Sequence, residues 1–127
     1  MTYTIGEISK ELDLPQSTIR YYDKEGLLPQ LSRQSGIRQF SEEDLTLLKL
    51  IECLKMTGMP IKDIKQFCHW LTMGDDSLEE RRQMFEERRE VAKEQMRKLQ
   101  ETMDMIDRKC KYYEKACKAG TEKGIHF

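Results

Sequence analysis

Residues 77–119 contain neither glycine nor proline, so this stretch is the longest uninterrupted helical candidate in the chain. Within it, side chains recur at intervals of seven in two series offset by four, like the two core positions of a heptad repeat. The predicted interface residues are Phe85, Ala92, Met96, Leu99, Met103, Ile106, Cys110 and Tyr113. Because one helix alone leaves this seam in water, the pattern predicts a partner helix, most simply from a second copy. Packing of the helix onto its own N-terminal segment is the alternative.

A break at residues 73–76 separates this helix from the preceding sequence. We predict three parts: a folded domain over residues 1–73, a helix over 77–118 that opens with a Ser77 capping box, and a tail over 119–127 that docks on a partner or is disordered. Of the 127 residues, 35% are charged and 38% hydrophobic, a low apolar share for one compact globule. The sequence shows no membrane-spanning stretch and no secretory signal, so we expect a cytoplasmic protein.

Two short helices joined by a tight turn are predicted near the N-terminus. Thr4 and Glu7 have the spacing of a capping box, and apolar residues follow them at helical intervals. Pro15 and Gly26 occupy positions that open and close a second helix. The few residues between the two helices allow only a steep crossing, which is the helix-turn-helix arrangement.

The second of these helices has two different faces. Ile19 and Tyr22 lie on an apolar face, whereas the opposite face is polar and partly cationic. That polar face consists of Ser17, Arg20, Tyr21 and Lys24. Arginine binds guanine or phosphate through two hydrogen bonds, and hydroxyl groups contact the DNA backbone, so this composition suits a helix that enters the major groove. An ordinary amphipathic helix with a solvated surface is the alternative.

A hairpin is predicted immediately after the two helices. Ser35 and Gly36 form a turn signal, and Arg33 and Arg38 flank it at hairpin spacing. Beside a helix-turn-helix, two arginines on a hairpin favour contact with phosphates or the minor groove over a purely solvated role. Residues 15–40 contain four basic and two acidic side chains although the net charge of the chain is −1, so the positive charge is local.

Four motifs follow one another along this region: Tyr3-Thr4-Ile5-Gly6-Glu7-Ile8, Thr18-Ile19-Arg20-Tyr21-Tyr22-Asp23, Gly26-Leu27-Leu28-Pro29 and Gly36-Ile37-Arg38-Gln39-Phe40. Together they resemble the MerR family of bacterial transcriptional regulators, over residues 3–70. The resemblance implies a mainly α fold in which a winged helix-turn-helix domain precedes one long dimerisation helix, paired as an antiparallel coiled coil. It also implies a homodimer that binds double-stranded promoter DNA with an overlong spacer and distorts it for RNA polymerase.

The resemblance also extends the set of predicted DNA contacts. Two further helices, the first capped by Ser41, would form a second wing in which Lys55 and Lys62 lie near phosphates, although surface lysines are more often only solvated. The full predicted set is Ser17, Thr18, Arg20, Tyr21, Tyr22, Lys24, Arg33, Arg38, Lys55 and Lys62. Family members often have tyrosine at the position of Ile37, so no aromatic contact is expected there.

Four cysteines occur without a Cys-x-x-Cys pair: Cys53, Cys68, Cys110 and Cys117. Cys110 and Cys117 lie one heptad apart, about 10 Å along a helix, which is too far to share one metal ion, so we expect core packing and no metal site. The segment around Cys53 resembles that of MerR-type regulators that respond to aldehydes and other thiol-reactive compounds, and Lys49 on the same helix face favours a thiolate. Burial of Cys53 beside Leu54 as a small apolar residue is the alternative.

No arrangement of side chains matches a hydrolase motif, and His69 and His126 are far apart in sequence. We therefore expect neither enzymatic activity nor a cofactor. The favoured function is a MerR-type regulator that switches transcription, with Cys53 as a candidate sensor. The alternatives are a coiled-coil adaptor that binds another protein, a metal-responsive regulator and a thiol redox enzyme.

Overall fold

The structure is a computed structural model and describes residues 1–126. Its elements are α1 (Ile5–Leu12), α2 (Gln16–Lys24), β1 (Ser32–Gln34), β2 (Ile37–Gln39), α3 (Glu42–Met56), α4 (Ile61–Thr72), a 3-10 turn (Gly74–Ser77) and α5 (Leu78–Ala119). They divide into two compact units, Met1–Arg88 and Arg89–Phe127. These elements confirm the predicted fold class, a mainly α chain with a small hairpin and a long C-terminal helix. Over the described residues, none of the helices has the length and apolar character needed to cross a membrane.

Side-chain caps fix where α1 and α3 begin. At α1, the Glu7 amide donates to Thr4 Oγ1 at 3.1 Å and the Thr4 amide donates to Glu7 Oε1 at 2.9 Å. At α3, Ser41 and Asp44 make the same reciprocal pair at 3.1 and 2.9 Å. Each box satisfies two backbone donors that a helix start otherwise leaves unpaired, which confirms both predicted caps.

Backbone conformation fixes both the turn between α1 and α2 and the end of α2. Asp13 ends α1 in the left-handed region, with φ 53°, and its amide donates to the Ser9 carbonyl. Pro15 then occupies the N-cap of α2. At the other end of α2, Gly26 has φ 82°, where a side chain would be strained, and the Leu27 amide donates to the Tyr22 carbonyl at 2.9 Å. The chain therefore makes the predicted helix-turn-helix.

The apolar faces of α1 to α4 meet in one core in the N-terminal unit. Its buried members are Ile8, Ile19, Tyr22, Leu27, Leu28, Phe40, Leu45, Leu48, Ile51, Leu54, Met59, Ile64, Phe67 and Cys68. The first turns of α5 also belong to this unit, since Met84 packs against the core and the Phe85 ring meets the Phe67 ring edge-on at 5.4 Å. The division at Arg88 thus falls inside α5, beyond the predicted break at residues 73–76.

Ser77 does not form the predicted capping box at the start of α5. It closes a 3-10 turn, is 0% exposed, and its hydroxyl donates to the Gly74 carbonyl at 2.9 Å and also bonds the Trp70 carbonyl. Arg81 Nε donates to the same hydroxyl at 3.0 Å. The prediction was wrong because a Ser-x-x-Glu spacing carries no information about the carbonyls of Trp70 and Gly74, which compete for the hydroxyl.

The hairpin has the predicted two-residue turn. Arg33 pairs with Arg38 across the ladder, and Ser35 and Gly36 at its tip have φ 53° and 79°. Positive φ at both central positions is the type I′ geometry that matches strand twist. A bridge between Tyr3 and Phe40 at 2.8 and 3.0 Å ties the base of the hairpin to the segment before α1.

The C-terminal unit consists of the rest of α5 and the tail. Gly120, with φ 74°, ends the helix, and the Thr121 amide then donates to the Ala116 carbonyl at 3.1 Å. Tyr112 donates from its hydroxyl to Glu122 Oε1 at 3.0 Å, and Ala116 is only 7% exposed. These contacts place the start of the tail, through Glu122, against the helix of its own chain.

Candidate nucleic-acid interface

The polar face of α2 is exposed because its opposite face is anchored in the core. Ile19 and Tyr22 are 0% and 1% exposed, which turns the other side of the helix to solvent. Ser17, Arg20, Tyr21 and Lys24 are all exposed, as the sequence pattern predicted. Within residues 1–126, the side chains of Arg20 and Lys24 have no hydrogen-bonding or ion-pair partner. Both cations are thus free to bind an external acceptor.

A groove separates α2 from the hairpin, and we call it the wing groove. It is lined by Ser17, Arg20, Tyr21, Asp23, Lys24, Arg33 and Arg38. Six of these seven residues belong to the predicted DNA-contacting set, and they come from two elements that the fold brings side by side. The structure thus combines hydroxyl, phenol, guanidinium and ammonium groups on one concave surface, a composition that suits nucleic acid.

Asp23 is the member of the wing groove that sequence patterns did not predict. Its Oδ2 accepts a hydrogen bond from Arg33 Nη2 at 2.6 Å and another from Arg38 Nε at 2.8 Å. Because Arg33 and Arg38 are directly opposite in the ladder, both side chains leave the same face of the hairpin and reach the same carboxylate. The acid lies 10 and 15 positions before the arginines, a separation that no local pattern reveals. The one sequence signal that could have indicated it is the charge complementarity between an acid on α2 and the two hairpin arginines.

Tyr22 was predicted as a DNA contact, and the structure corrects that assignment. The residue is 1% exposed, its hydroxyl donates to Glu52 Oε1 at 2.7 Å, and it accepts from Lys55 Nζ at 2.5 Å. The pKa of the Tyr22 phenol is raised, mainly by burial and secondly by the hydrogen bond to Glu52, so the phenol stays protonated. The Tyr22 hydroxyl is therefore already paired inside the protein, where it holds Lys55 in place.

A second groove, on the other side of α2, contains Lys55. Its lining is Ser17, Thr18, Tyr21, Tyr22, Lys55, Met59, Ile61 and Ile64. Here Lys55 joins the half-buried Thr18 and the exposed Tyr21, so these predicted contacts also form one surface. Lys62 lines a different groove with Glu25 and Lys65, and the structure does not bring it together with the exposed face of α2.

Replacement of Tyr22 by phenylalanine tests the link between Tyr22 and Lys55. We expect the free energy of unfolding to fall by about 1–2 kcal/mol, because the ring still packs but Glu52 and Lys55 lose a hydrogen-bonding partner. Urea denaturation measures the change. Tyr21→Phe is the matched control, since the Tyr21 hydroxyl has no hydrogen bond within the described part of the chain. Equal stability of the two variants would contradict the expectation.

The cysteines differ in environment. Cys53 is exposed, so its predicted alternative as a small buried residue is wrong. Cys68 is 1% exposed, and burial raises the pKa of its thiol to about 11. Cys110 and Cys117 are exposed in the single chain, and their expected packing therefore depends on a partner helix. Among residues 1–126, no three His, Cys, Asp or Glu side chains gather as a metal site.

Known proteins share both the sequence and the fold of this chain. The sequence matches the family described as "MerR HTH family regulatory protein" over residues 3–69 and the one described as "MerR, DNA binding" over residues 45–109. It is 40% identical over 128 residues to an uncharacterised HTH-type transcriptional regulator of Haemophilus influenzae, across 100% of this chain and 95% of the relative. The HTH-type transcriptional regulator AdhR of Bacillus subtilis is 33% identical over 81 residues, which are 63% of this chain and 58% of AdhR.

A solved structure covers nearly the whole chain. It is that of HiNmlR, a MerR family regulator lacking the sensor domain, bound to promoter DNA. The two structures superpose with a TM-score of 0.90 at 40% identity, over 98% of this chain and 100% of HiNmlR. The first family match covers more than half of the chain, and the Haemophilus influenzae relative matches the chain over its whole length. The chain therefore belongs to the MerR family and is a transcriptional regulator of the MerR type.

Proposed function

We propose that the chain binds double-stranded promoter DNA as a homodimer and changes transcription by distorting that DNA. The observation that carries the proposal is the wing groove, in which six predicted contacts from α2 and the hairpin share one surface. Its α2 side has two cations without partners in the described chain, Arg20 and Lys24, and its hairpin side has two solvent-accessible guanidinium groups. This is the local positive surface that a nearly neutral chain needs in order to bind a polyanion.

The residues of this interface divide into two roles. Arg20 lies in the middle of α2, exposed and unpaired, and is assigned to base edges in the major groove. Arg33 and Arg38, on the hairpin beside α2, are assigned to phosphates, because arginine contacts to phosphate position a protein on DNA without reading its sequence. Lys55, held by Tyr22 on the other side of α2, is assigned to a phosphate there.

The similarity to HiNmlR supports this proposal. HiNmlR is bound to promoter DNA in its crystal structure, and the present chain has the same fold over 98% of its residues. Membership of the MerR family supports RNA polymerase as the partner that responds to the distorted promoter. The proposed role involves no enzymatic step and places the protein in the cytoplasm, where bacterial promoters are found.

The exposed seam of α5 supports the homodimer. The exposed fraction is 71% for Met96, 65% for Leu99, 48% for Met103, 45% for Ile106 and 52% for Tyr113. These side chains follow the predicted heptad positions, and burying one large apolar side chain contributes about 1.5–3 kcal/mol. A second copy presents the same seam, and an antiparallel coiled coil between two α5 helices covers both.

A binding titration tests the proposal. Fluorescence anisotropy would compare a duplex from the region upstream of the protein's own gene with a duplex of shuffled sequence, at several salt concentrations. We expect tighter binding to the upstream duplex and weaker binding as salt rises. A coiled-coil adaptor would bind neither duplex, and equal affinity for both would contradict sequence-specific regulation.

We further propose Cys53 as the sensor of thiol-reactive compounds in this regulator. The thiol is exposed. Its neighbour Glu52 accepts a hydrogen bond from the Tyr22 hydroxyl, and the same hydroxyl accepts a hydrogen bond from Lys55. An adduct on Cys53 therefore lies on the same turn of α3 as the contacts that place a predicted phosphate ligand. The resemblance of the segment around Cys53 to regulators that respond to thiol-reactive compounds supports the stress-response part of the proposal.

Alkylation of the native protein tests the sensor. We expect Cys53 to react with iodoacetamide at neutral pH while Cys68 stays unmodified, because burial keeps the Cys68 thiol protonated and inaccessible. Mass spectrometry of tryptic peptides reads out both sites. Cys53→Ser should keep promoter affinity and lose the response of promoter output to an electrophile. The assignment is wrong if Cys53 is inert in the native dimer while Cys110 or Cys117 reacts.

A further inference from the structure

We propose that Asp23 is a positioning residue that fixes both hairpin arginines against α2, so that they act on DNA as one preorganised phosphate-binding unit. The inference rests on the proposed DNA-binding function. It assigns a role to an acidic residue inside a surface that is otherwise built for a polyanion. An acid in that place repels phosphates unless it serves another purpose, and its two short ion pairs define that purpose.

The geometry gives one carboxylate oxygen two donors. Asp23 Oδ2 accepts from Arg33 Nη2 at 2.6 Å and from Arg38 Nε at 2.8 Å. Each arginine uses one nitrogen for this contact, so the remaining N–H groups of both guanidiniums stay available for a phosphate. The side chain of Asp23 is 12% exposed, against 48% for Arg33 and 27% for Arg38. The carboxylate thus lies behind the guanidiniums, and an approaching phosphate meets the cations.

The hairpin needs such an anchor because it has little apolar packing. All three residues of β1 are exposed, and Ile37 in β2 is 64% exposed. The bridge between Phe40 and Tyr3 fixes the base of the hairpin, but it does not determine the direction of the exposed tip. Asp23 supplies the contacts from α2 that act on the middle of the ladder. Orientation of the arginines therefore depends on the ion pairs.

Asp23 also removes a repulsion. Arg33 and Arg38 face each other across the ladder, where like charges destabilise a hairpin. A shared carboxylate offsets that repulsion and leaves the three side chains with one net positive charge. Without it, the two guanidiniums would separate, and each would find phosphates independently of where α2 lies. The expected consequence is stronger sequence-independent binding together with weaker discrimination.

Asp23→Asn tests this inference, with Glu25→Gln as the matched control. Both variants remove one negative charge near the end of α2, but Glu25 pairs with Lys65 at 3.6 Å and not with the hairpin. For Asp23→Asn, we expect the ratio of specific to non-specific affinity to fall roughly tenfold and the salt dependence to steepen by about one phosphate contact. Glu25→Gln should raise both affinities slightly and keep their ratio. Asp23→Glu, which retains the carboxylate, should recover most of the ratio.

A measurement without DNA separates this inference from the proposed function. In the free protein, the Arg38 Nε–H signal in a nitrogen–proton NMR spectrum should be shifted from the position of a solvated arginine, and it should return to that position in Asp23→Asn only. An unchanged Arg38 signal in Asp23→Asn overturns the inference, as does an affinity ratio equal to that of Glu25→Gln. If the wild type binds no promoter DNA at all, the proposed function fails, while the NMR result still decides whether Asp23 positions the hairpin.

Discussion

Replacement of Arg20 by alanine should abolish specific promoter binding while leaving the fold intact. The side chain is exposed and has no partner in the described structure, so its removal costs no internal contact. A bidentate arginine–guanine pair contributes about 1–3 kcal/mol of discrimination, and a homodimer loses two of them. The expected loss of specific affinity is therefore at least about thirtyfold. Anisotropy titration with the promoter duplex measures it, and circular dichroism checks the fold.

The hairpin arginines should behave differently from Arg20. Arg33→Ala and Arg38→Ala should weaken binding to both the specific and the shuffled duplex, and each should reduce the salt slope by about 0.9 for every phosphate that is no longer neutralised. Lys10→Ala is the control: it removes one positive charge from α1, at a site that lines neither groove of α2. Unchanged promoter affinity in Arg20→Ala and in both hairpin variants would refute the assignment of this surface to DNA.

Charge at the seam of α5 should dissociate the dimer. Leu99→Asp or Ile106→Asp places a carboxylate where the proposed dimer excludes water. Each dimer would contain two such carboxylates, one from each protomer. We expect a monomer by light scattering and a loss of promoter affinity, because two half-sites require two α2 helices at a fixed spacing. Met105→Asp is the matched control, since Met105 is 49% exposed and lies outside the heptad seam.

The Met105→Asp control shows whether dissociation in Leu99→Asp or Ile106→Asp is specific to the heptad seam. If Met105→Asp also yields a monomer, the effect comes from added charge on the helix and not from the seam. If the wild type is a monomer at micromolar concentration, the dimer proposal is wrong and the exposed side chains of α5 need another partner.

The features predicted correctly are those that short sequence patterns determine. The capping box at Thr4 and the N-cap at Ser41 act over three residues, the turn at Ser35 and Gly36 involves only two, and the absence of helix breakers before Gly120 sets the length of α5. Local rules therefore yield the elements and their order. Motifs in register then identified the family.

Contacts between elements lie beyond such rules. Asp23 meets Arg33 and Arg38 only because α2 and the hairpin pack side by side, and Tyr22 reaches Lys55 from 33 positions away. Helical periodicity placed Tyr22 on the apolar face, yet the motif led to its prediction as a DNA contact. The structure shows that the burial pattern was the better guide, since the hydroxyl is used inside the protein.

A hydroxyl-radical footprint of the promoter region tests the central claim most directly. If two chains bind through α2 and the hairpin, protection should appear as two patches related by two-fold symmetry, one for each half-site, with altered cleavage between them where the DNA is distorted. Arg20→Ala should erase both patches together. A single asymmetric patch, or protection that does not depend on the sequence of the duplex, would contradict the account.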